Sequence, residues 1–577
     1  MKHAVLTAAI LLSGIATPSA ASDPRDDASP WGIAPGAEAR GEYQKFNPLL
    51  EQAGVKWLRF FLPWNALEPQ QGQWAWEKND ALIADTKAHS MHTLGYLGFL
   101  ANWASTEGKA RNFPIKDIAY WSNYVEQVVG RYHKDIKYWE VWNEFNGGFA
   151  VSTNKPKDYA ELTRTAYVAA KKIDPTVQIG ISCANFDLGF FDKVIKAGAA
   201  NHFDFVCVHP YENLNAVGNG GEAGYLAMVA NVRKLLADNK QRVDMPIWIT
   251  EIGTVTNGSP EQDAYQAQQL MKSYILSIAQ GFDRLFWFEV MGPAVYGKEK
   301  NNAHGIIRPN GTPRPAFDAL KTMTSLLGTE PRYAGWLNIA NGGYGFLFDG
   351  ASGPVLVAWA PVGTTLKSPF PGSVTATDFS GKKAQLNSLT NDVVFIPNPP
   401  ADLVQQARSN KPKPFPWGGD YTKTDTVRCQ LGADIKEEGL QSLKSGAMEV
   451  VIIDTENLSC RRLDSTKEGQ VNYTFRAHPS FLEGSPRELE ITVVARRTAA
   501  DKPAELKLNY ESLSGYKVAP PAWNIPAGDQ WQENTWKVQD ANFIAQWGYN
   551  VSLSVGGSGQ CLVKEIRVKK KPGARAK

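Results

Sequence analysis

The sequence predicts an α/β chain: a (β/α)8 TIM barrel, then a small β-sandwich, then a C-terminal all-β, jelly-roll-like module. Three observations carry this. Between about residues 31 and 327, short apolar runs alternate with helix-like segments, eight of each in ~300 residues. No glycine-rich phosphate loop follows the first strand, which disfavours a doubly wound open sheet. Beyond about Tyr333 the helical period disappears and short strands punctuated by turns replace it.

The strands are expected at 31–34, 55–62, 92–99, 136–143, 177–183, 203–209, 245–250 and 284–290, because these runs are short, apolar and rich in β-branched or aromatic residues. The helices are expected between them, at 42–53, 76–90, 115–132, 156–173, 188–200, 221–239, 261–280 and 314–327. Several show the 3.6-residue apolar period, as in Tyr120, Tyr124, Val125, Val128 and Val129. After the barrel (28–330), Gly343-Tyr344-Gly345, 354–359 and Asp378-Phe379-Ser380-Gly381 mark the strands and turns of a sandwich at 331–400. Residues 401–417, with Lys411-Pro412-Lys413-Pro414-Phe415-Pro416, read as a proline-rich linker. An all-β, carbohydrate-binding-like module at 418–570 follows, then a basic tail at 571–577 expected to be disordered. Such a linker predicts that truncation after about Pro400 leaves a folded barrel and sandwich.

Of the 577 residues, 43% are hydrophobic and 21% charged, which excludes a disordered chain and a multi-span membrane protein. The formal net charge of +3 argues against nucleic acid as a partner. The 18 Trp, 20 Tyr and 25 Phe can supply stacking platforms for flat ligands such as sugar rings. Lys2 and His3, an apolar run over 4–15 and Ser19-Ala20-Ala21 predict a signal peptide at 1–21, hence a secreted or periplasmic protein. No later segment reaches the ~18 apolar residues of a membrane span. Cys183 and Cys207 read as buried thiols, and export would permit one disulfide among Cys429, Cys460 and Cys561. CxxC and HExxH patterns are absent, so neither a metal nor a cofactor is expected. The oligomeric state is left open.

Active sites of barrels lie at the C-terminal ends of the strands. The fourth strand ends Trp142-Asn143-Glu144 and the seventh Thr250-Glu251. Two carboxyl groups facing one cavity, ~5–5.5 Å apart, are what cleavage of a glycosidic bond with retention requires.

Trp142-Asn143-Glu144 with Thr250-Glu251 resembles the retaining glycoside hydrolases of clan A, most of all family 39 and its neighbours. Arg59, the run Trp64 to Pro69 with Gly72-Gln73-Trp74, His209-Pro210-Tyr211, Phe286 to Glu289 and Arg314 to Phe317 agree with it. Phe145 departs from the proline common at that point in the clan. The resemblance covers roughly 30–330 and implies Glu144 as general acid/base and Glu251 as nucleophile. It further implies that Asn143 donates to the sugar, that His209 and Tyr211 hold the nucleophile, and that Arg59 orients it. Trp287 is a stacking platform or core; Trp103, Asn102 and Asn185 are further subsite candidates. Residue by residue, His209 also reads as a satisfied core histidine and Arg59 as the partner of Glu140. Glu68 and Glu289 are the rival carboxylates. The substrate implied is a β-linked polysaccharide or oligosaccharide. An endo-glucanase or mannanase type of enzyme, or a non-catalytic sugar-binding barrel, are the alternatives. The C-terminal aromatics Trp523, Trp531, Trp536, Trp547 and Tyr549 are either a sugar-binding surface or core.

Overall fold

The computed structural model describes residues 23–292, 304–368, 370, 374–443, 449–453, 456, 458–467 and 471–575. The expected signal segment 1–21 lies outside them.

Eight parallel strands close in chain order into a barrel: β1 (Trp31–Ala34), β2 (Trp57–Pro63), β3 (His92–Gly98), β4 (Tyr138–Val141), β5 (Gln178–Ala184), β6 (Phe205–His209), β7 (Ile247–Ile252) and β8 (Arg284–Phe288). The ring is sealed by β1 pairing with both β2 and β8. Side chains alternate across each strand. Trp57, Leu94, Tyr138, Phe205, Trp248 and Phe286 therefore fill the interior, while neighbours such as Trp139 and Trp287 pack outward against the helices. The floor is closed by Arg284, whose guanidinium lies 4.2 Å from the Trp57 ring centre and 4.3 Å from that of Trp248, and is anchored by Asp26 at 2.6 Å.

Helices fill the connections, capped where the sequence offers an oxygen acceptor. Asp117 caps Ile118–Tyr132, Asn154 caps Lys155–Ile173 and Ser259 caps Pro260–Gln280. Among the helices with no counterpart in the expected elements is Tyr211–Val217, which follows β6 directly.

The sandwich is a six-stranded antiparallel sheet, ordered Lys383–Gln385, Thr375–Thr377, Val394–Pro397, Gly353–Trp359, Gly343–Gly350 and Arg332–Ile339, with a two-stranded ribbon beside it. Its aromatics Tyr344, Phe346 and Trp359 join the barrel core. A buried ion pair sits in that seam: Lys272 donates to Glu222, which also accepts from the Trp359 indole at 3.2 Å.

The stretch read as a linker is different in structure. Residues Ala401–Asn410 form a helix against the sandwich, because Ala407 and its neighbours carry an apolar face. Trp417 is buried and packs on Tyr344 and Phe346 at 4.9 Å each. The prolines thus end a helix and lay aromatic side chains into a core, and no free hinge is left. The strands of the C-terminal module pair antiparallel, and the module has its own core. Its last strand, Gln560–Arg575, runs on into the basic tail expected to be disordered. Strand Ala504–Ser512 ends beside the barrel, and Ile544 belongs to the barrel core. All five cysteines are buried thiols, so the disulfide allowed among the last three is not formed.

Candidate active site

The site is built at the ends of β2, β4, β6 and β7. Arg59 on β2 points inward beside Glu140 on β4, and the two form a forked pair: Nε to Oε2 at 2.8 Å and Nη2 to Oε1 at 3.0 Å. Glu140 is fully buried. Burial alone would raise its pKa, but the charges of Arg59 and His209 outweigh that and hold it at about 2. Arg59 also reaches Glu251 through Nη1 at 2.9 Å and Asn143 Oδ1 through Nη2 at 2.8 Å. Both readings of Arg59 are therefore realised by one side chain, since a guanidinium has five donors in a fixed fork. Its lower face is covered by the Tyr96 ring at 4.3 Å, which stacks in turn on Phe61 at 4.7 Å.

Alternation along β4 fails at its end. Trp142 (φ 64°) and Glu144 (φ 49°) both lie in the left-handed region. The strand stops at Val141, Trp142 swings outward against Phe99 and Phe145, and Asn143 and Glu144 turn back into the cavity. Trp142 thus does not share the face of Glu140, where simple strand alternation would have put it.

Glu251 accepts the Tyr211 hydroxyl at 2.8 Å, in addition to Arg59. His209 takes a different place from the one expected. Its Nδ1 lies 2.9 Å from Glu144 and its Nε2 3.0 Å from Thr250 Oγ1, while Glu251 is 4.0 Å away. Tyr211 alone of the two holds Glu251; His209 holds Glu144. The ring is fully buried, which disfavours its charge, but Glu251, Glu140 and Glu144 around it overcome this and raise its pKa to about 9. One oxygen each of Glu144 and Glu251 and a ring nitrogen of His209 lie within 4.8 Å of one another, the one His/Cys/Asp/Glu cluster so close among the described residues. Arg59 already supplies a cation against it, which suits acid–base work better than metal ligation.

The remaining candidates divide. Asn143 is buried with its carbonyl committed to Arg59. Asn185 is half-exposed at the end of β5 with φ 57°, its carbonyl accepting from the His209 backbone. Trp103 is half-exposed, edge-on to Trp64 at 5.6 Å, and donates to the Glu68 carbonyl. Asn102 beside it is exposed. Trp287 is wholly buried in the outer core, so it offers no face to a ligand. Alternation gives that place to Phe288, half-buried at the rim beside His304. Glu68 is structural, clamped by the Trp64 indole at 2.7 Å and the Gly72 amide. Glu289 is buried beyond β8, next to the backbone of Gly36. The sequence reading missed Tyr96 and His304, and gave Thr250 no role beyond its place before Glu251. Alternation from Leu94 would have found Tyr96 and Thr250 follows Ile249 into Glu251, but His304 lies in a segment with no period. His304 packs against Tyr211, and burial lowers its pKa to about 4.

Comparison with known proteins agrees with this geometry. Residues 61–280 match the family model of glycosyl hydrolase family 10, a span that includes Glu144 and Glu251. Endo-1,4-beta-xylanase 3 of Hypocrea jecorina is 27% identical over 184 residues, which is 30% of this chain and 52% of that protein. Endo-1,4-beta-xylanase B of Humicola insolens is 25% identical over 144 residues, 24% of this chain and 38% of that one. The chain thus spans about half the length, or less, of these curated relatives. The fold is similar to that of a family 39 glycoside hydrolase from the gut symbiont Bacteroides cellulosilyticus, with TM-score 0.54 and 20% identity over 65% of this chain and 81% of that one. In its closed barrel and in these matches, the segment 31–327 is similar to the glycoside hydrolase barrels of clan A, with the family 10 model covering 61–280.

Proposed function

We propose that the protein is a retaining glycoside hydrolase acting on a β-linked polysaccharide or oligosaccharide. The observation that carries the reading is the spacing and unequal partnering of two carboxyl groups, Glu144 and Glu251, in one pocket. The separation fits direct attack on the sugar and is too small for the ~6.5–9.5 Å of an inverting site with its intervening water. Glu251 is the nucleophile in this reading, its carboxyl group held in place by donors from Arg59 and Tyr211. Glu144, which the guanidinium does not touch and which is held by His209, is left as the acid/base.

In the first step a Glu251 oxygen bonds to the anomeric carbon as the glycosidic bond breaks, and Glu144 gives its proton to the departing oxygen. In the second, Glu144 takes a proton from water, whose oxygen replaces Glu251 at that carbon. Asn143, its carbonyl fixed by Arg59, presents its amide donors to a sugar hydroxyl. The curated relatives are named as endo-1,4-β-xylanases, which makes β-1,4-xylan the first polymer to assay. Export by the segment 1–21 belongs to the same reading.

The test is the Glu251→Gly variant with an aryl β-xyloside. Turnover is expected to fall about 10⁴-fold or more and to return in part with azide, giving a glycosyl azide. Early NMR spectra of the native reaction are expected to show the β-anomer first; an inverted first product would reject the mechanism.

A further inference from the structure

The C-terminal module meets the barrel at the helix Tyr211–Val217, whose first residue holds Glu251. Asn213 donates to the Ala545 carbonyl at 3.1 Å, Arg476 donates to Asn213 Oδ1 at 2.6 Å, and the Phe186 amide donates to the Gln546 carbonyl. The loop then turns out to solvent at Trp547, which is 46% exposed and the one exposed tryptophan among the described residues. The backbone that carries it is fixed. The Trp547 amide donates to the Tyr516 hydroxyl at 3.3 Å, and that hydroxyl donates to the Tyr549 carbonyl. Behind it, Glu511 accepts the amides of Ile544, Ala545 and Gln546 and the side chain of Asn550. Folding gives no reason to display an indole on a loop held this firmly.

Opposite stands a polar wall. Glu212, Asn215 and Asn219, spaced three and four residues apart, are all exposed on one side of the helix and the turn after it. Between this wall and Trp547, Tyr516 and Tyr549 lies a groove of about 420 Å³. One side offers aromatic surface and the other amides and a carboxylate. A pyranose ring has the matching faces, apolar C–H on its flat side and hydroxyls at its edge.

We propose that this groove binds a stretch of β-linked glycan, a second carbohydrate site made jointly by barrel and module. It rests on the glycosidase reading and extends it: the helix that steadies the nucleophile at one end lines the groove on its outer side, so a polymer held there is held beside the cleft.

The test uses the full chain and xylohexaose, cellohexaose and mannohexaose as probes. Binding is followed by titration calorimetry in a Glu251→Gln background, so that nothing is hydrolysed. At least one hexaose is expected to bind about tenfold more weakly to Trp547→Ala, with Trp547→Phe close to the parent because it keeps an aromatic face. In the active enzyme, Trp547→Ala is expected to raise KM on the matching polymer and to leave kcat/KM on an aryl monoglycoside and Tm unchanged. Equal binding of all three hexaoses by parent and Trp547→Ala overturns the proposal, as does a parent that binds none. Inactivity of the native chain on every glycoside would instead remove the glycosidase reading, and a Trp547-dependent hexaose signal would still stand.

Discussion

At the scale of single residues, the site is an electrostatic arrangement with one occupant doing more than its position announces. Arg59 ties Glu140, Asn143 and Glu251 together, so one buried guanidinium positions side chains from two strand ends. His209 is the titrating member. Its folded pKa of about 9 lies above the ordinary 6.5, so its charged form stabilises the fold. That contribution is complete below about pH 6.5 and fades as the pH rises through about 9. Calorimetry from pH 7 to 10 is therefore expected to show a steeper fall in Tm for the native chain than for His209→Asn, which cannot titrate there. Parallel curves would mean the imidazole carries no charge at neutral pH.

At the scale of elements, two local departures make the site. The left-handed pair Trp142 and Glu144 at the end of β4 sends one aromatic out and one carboxyl in. Non-glycine residues hold such angles at a cost of about 1–3 kcal/mol each, and the packing of Trp142 among Phe99, Phe113 and Trp121 sustains it. The other departure is the short helix Tyr211–Val217. It begins on Pro210, and its buried Asn213 is bonded from outside by Ala545 and Arg476. Tyr211→Phe keeps this helix and removes one donor from Glu251. It is expected to lower kcat on an aryl glycoside about tenfold or more with Tm nearly unchanged, because Glu251 loses one of the two donors that hold it. An unchanged kcat would show that Arg59 alone suffices to hold Glu251.

At the scale of the whole molecule, barrel, sandwich and module are bound into one unit. Trp417 seals the sandwich, Ile544 enters the barrel core, and buried Arg476 bonds the Gly221 carbonyl as well as Asn213. A chain ending at Pro400 loses the aromatic seal and uncovers the partners of that loop. It is expected to melt lower by several degrees, and to lose activity on aryl glycosides and polymer alike. Measuring Tm and both activities on the truncated chain decides this: native Tm with loss on polymer alone would restore the picture of an independent module.

Much of this was legible beforehand, for identifiable reasons. Period and alternation are local properties, so the eight strands, most helices and the carboxyl-bearing strand ends could be read from neighbours in sequence. The choice of Glu144 and Glu251 followed from their places after strands four and seven. What sequence alone left open were relations between distant segments. It could not tell that Arg59 serves Glu140 and Glu251 at once, that His209 turns to Glu144, or that Trp287 faces outward while Phe288 reaches the rim. Nor could it tell that a proline-rich run packs as core, since proline content limits backbone conformation but says nothing of what Phe415 and Trp417 will meet. The sequence by itself determined the barrel and the two carboxyl groups at its rim, because pattern acts along the chain. The tertiary structure alone decided their partners and the docking of the module, because hydrogen bonds and burial act through space between residues that the chain holds far apart.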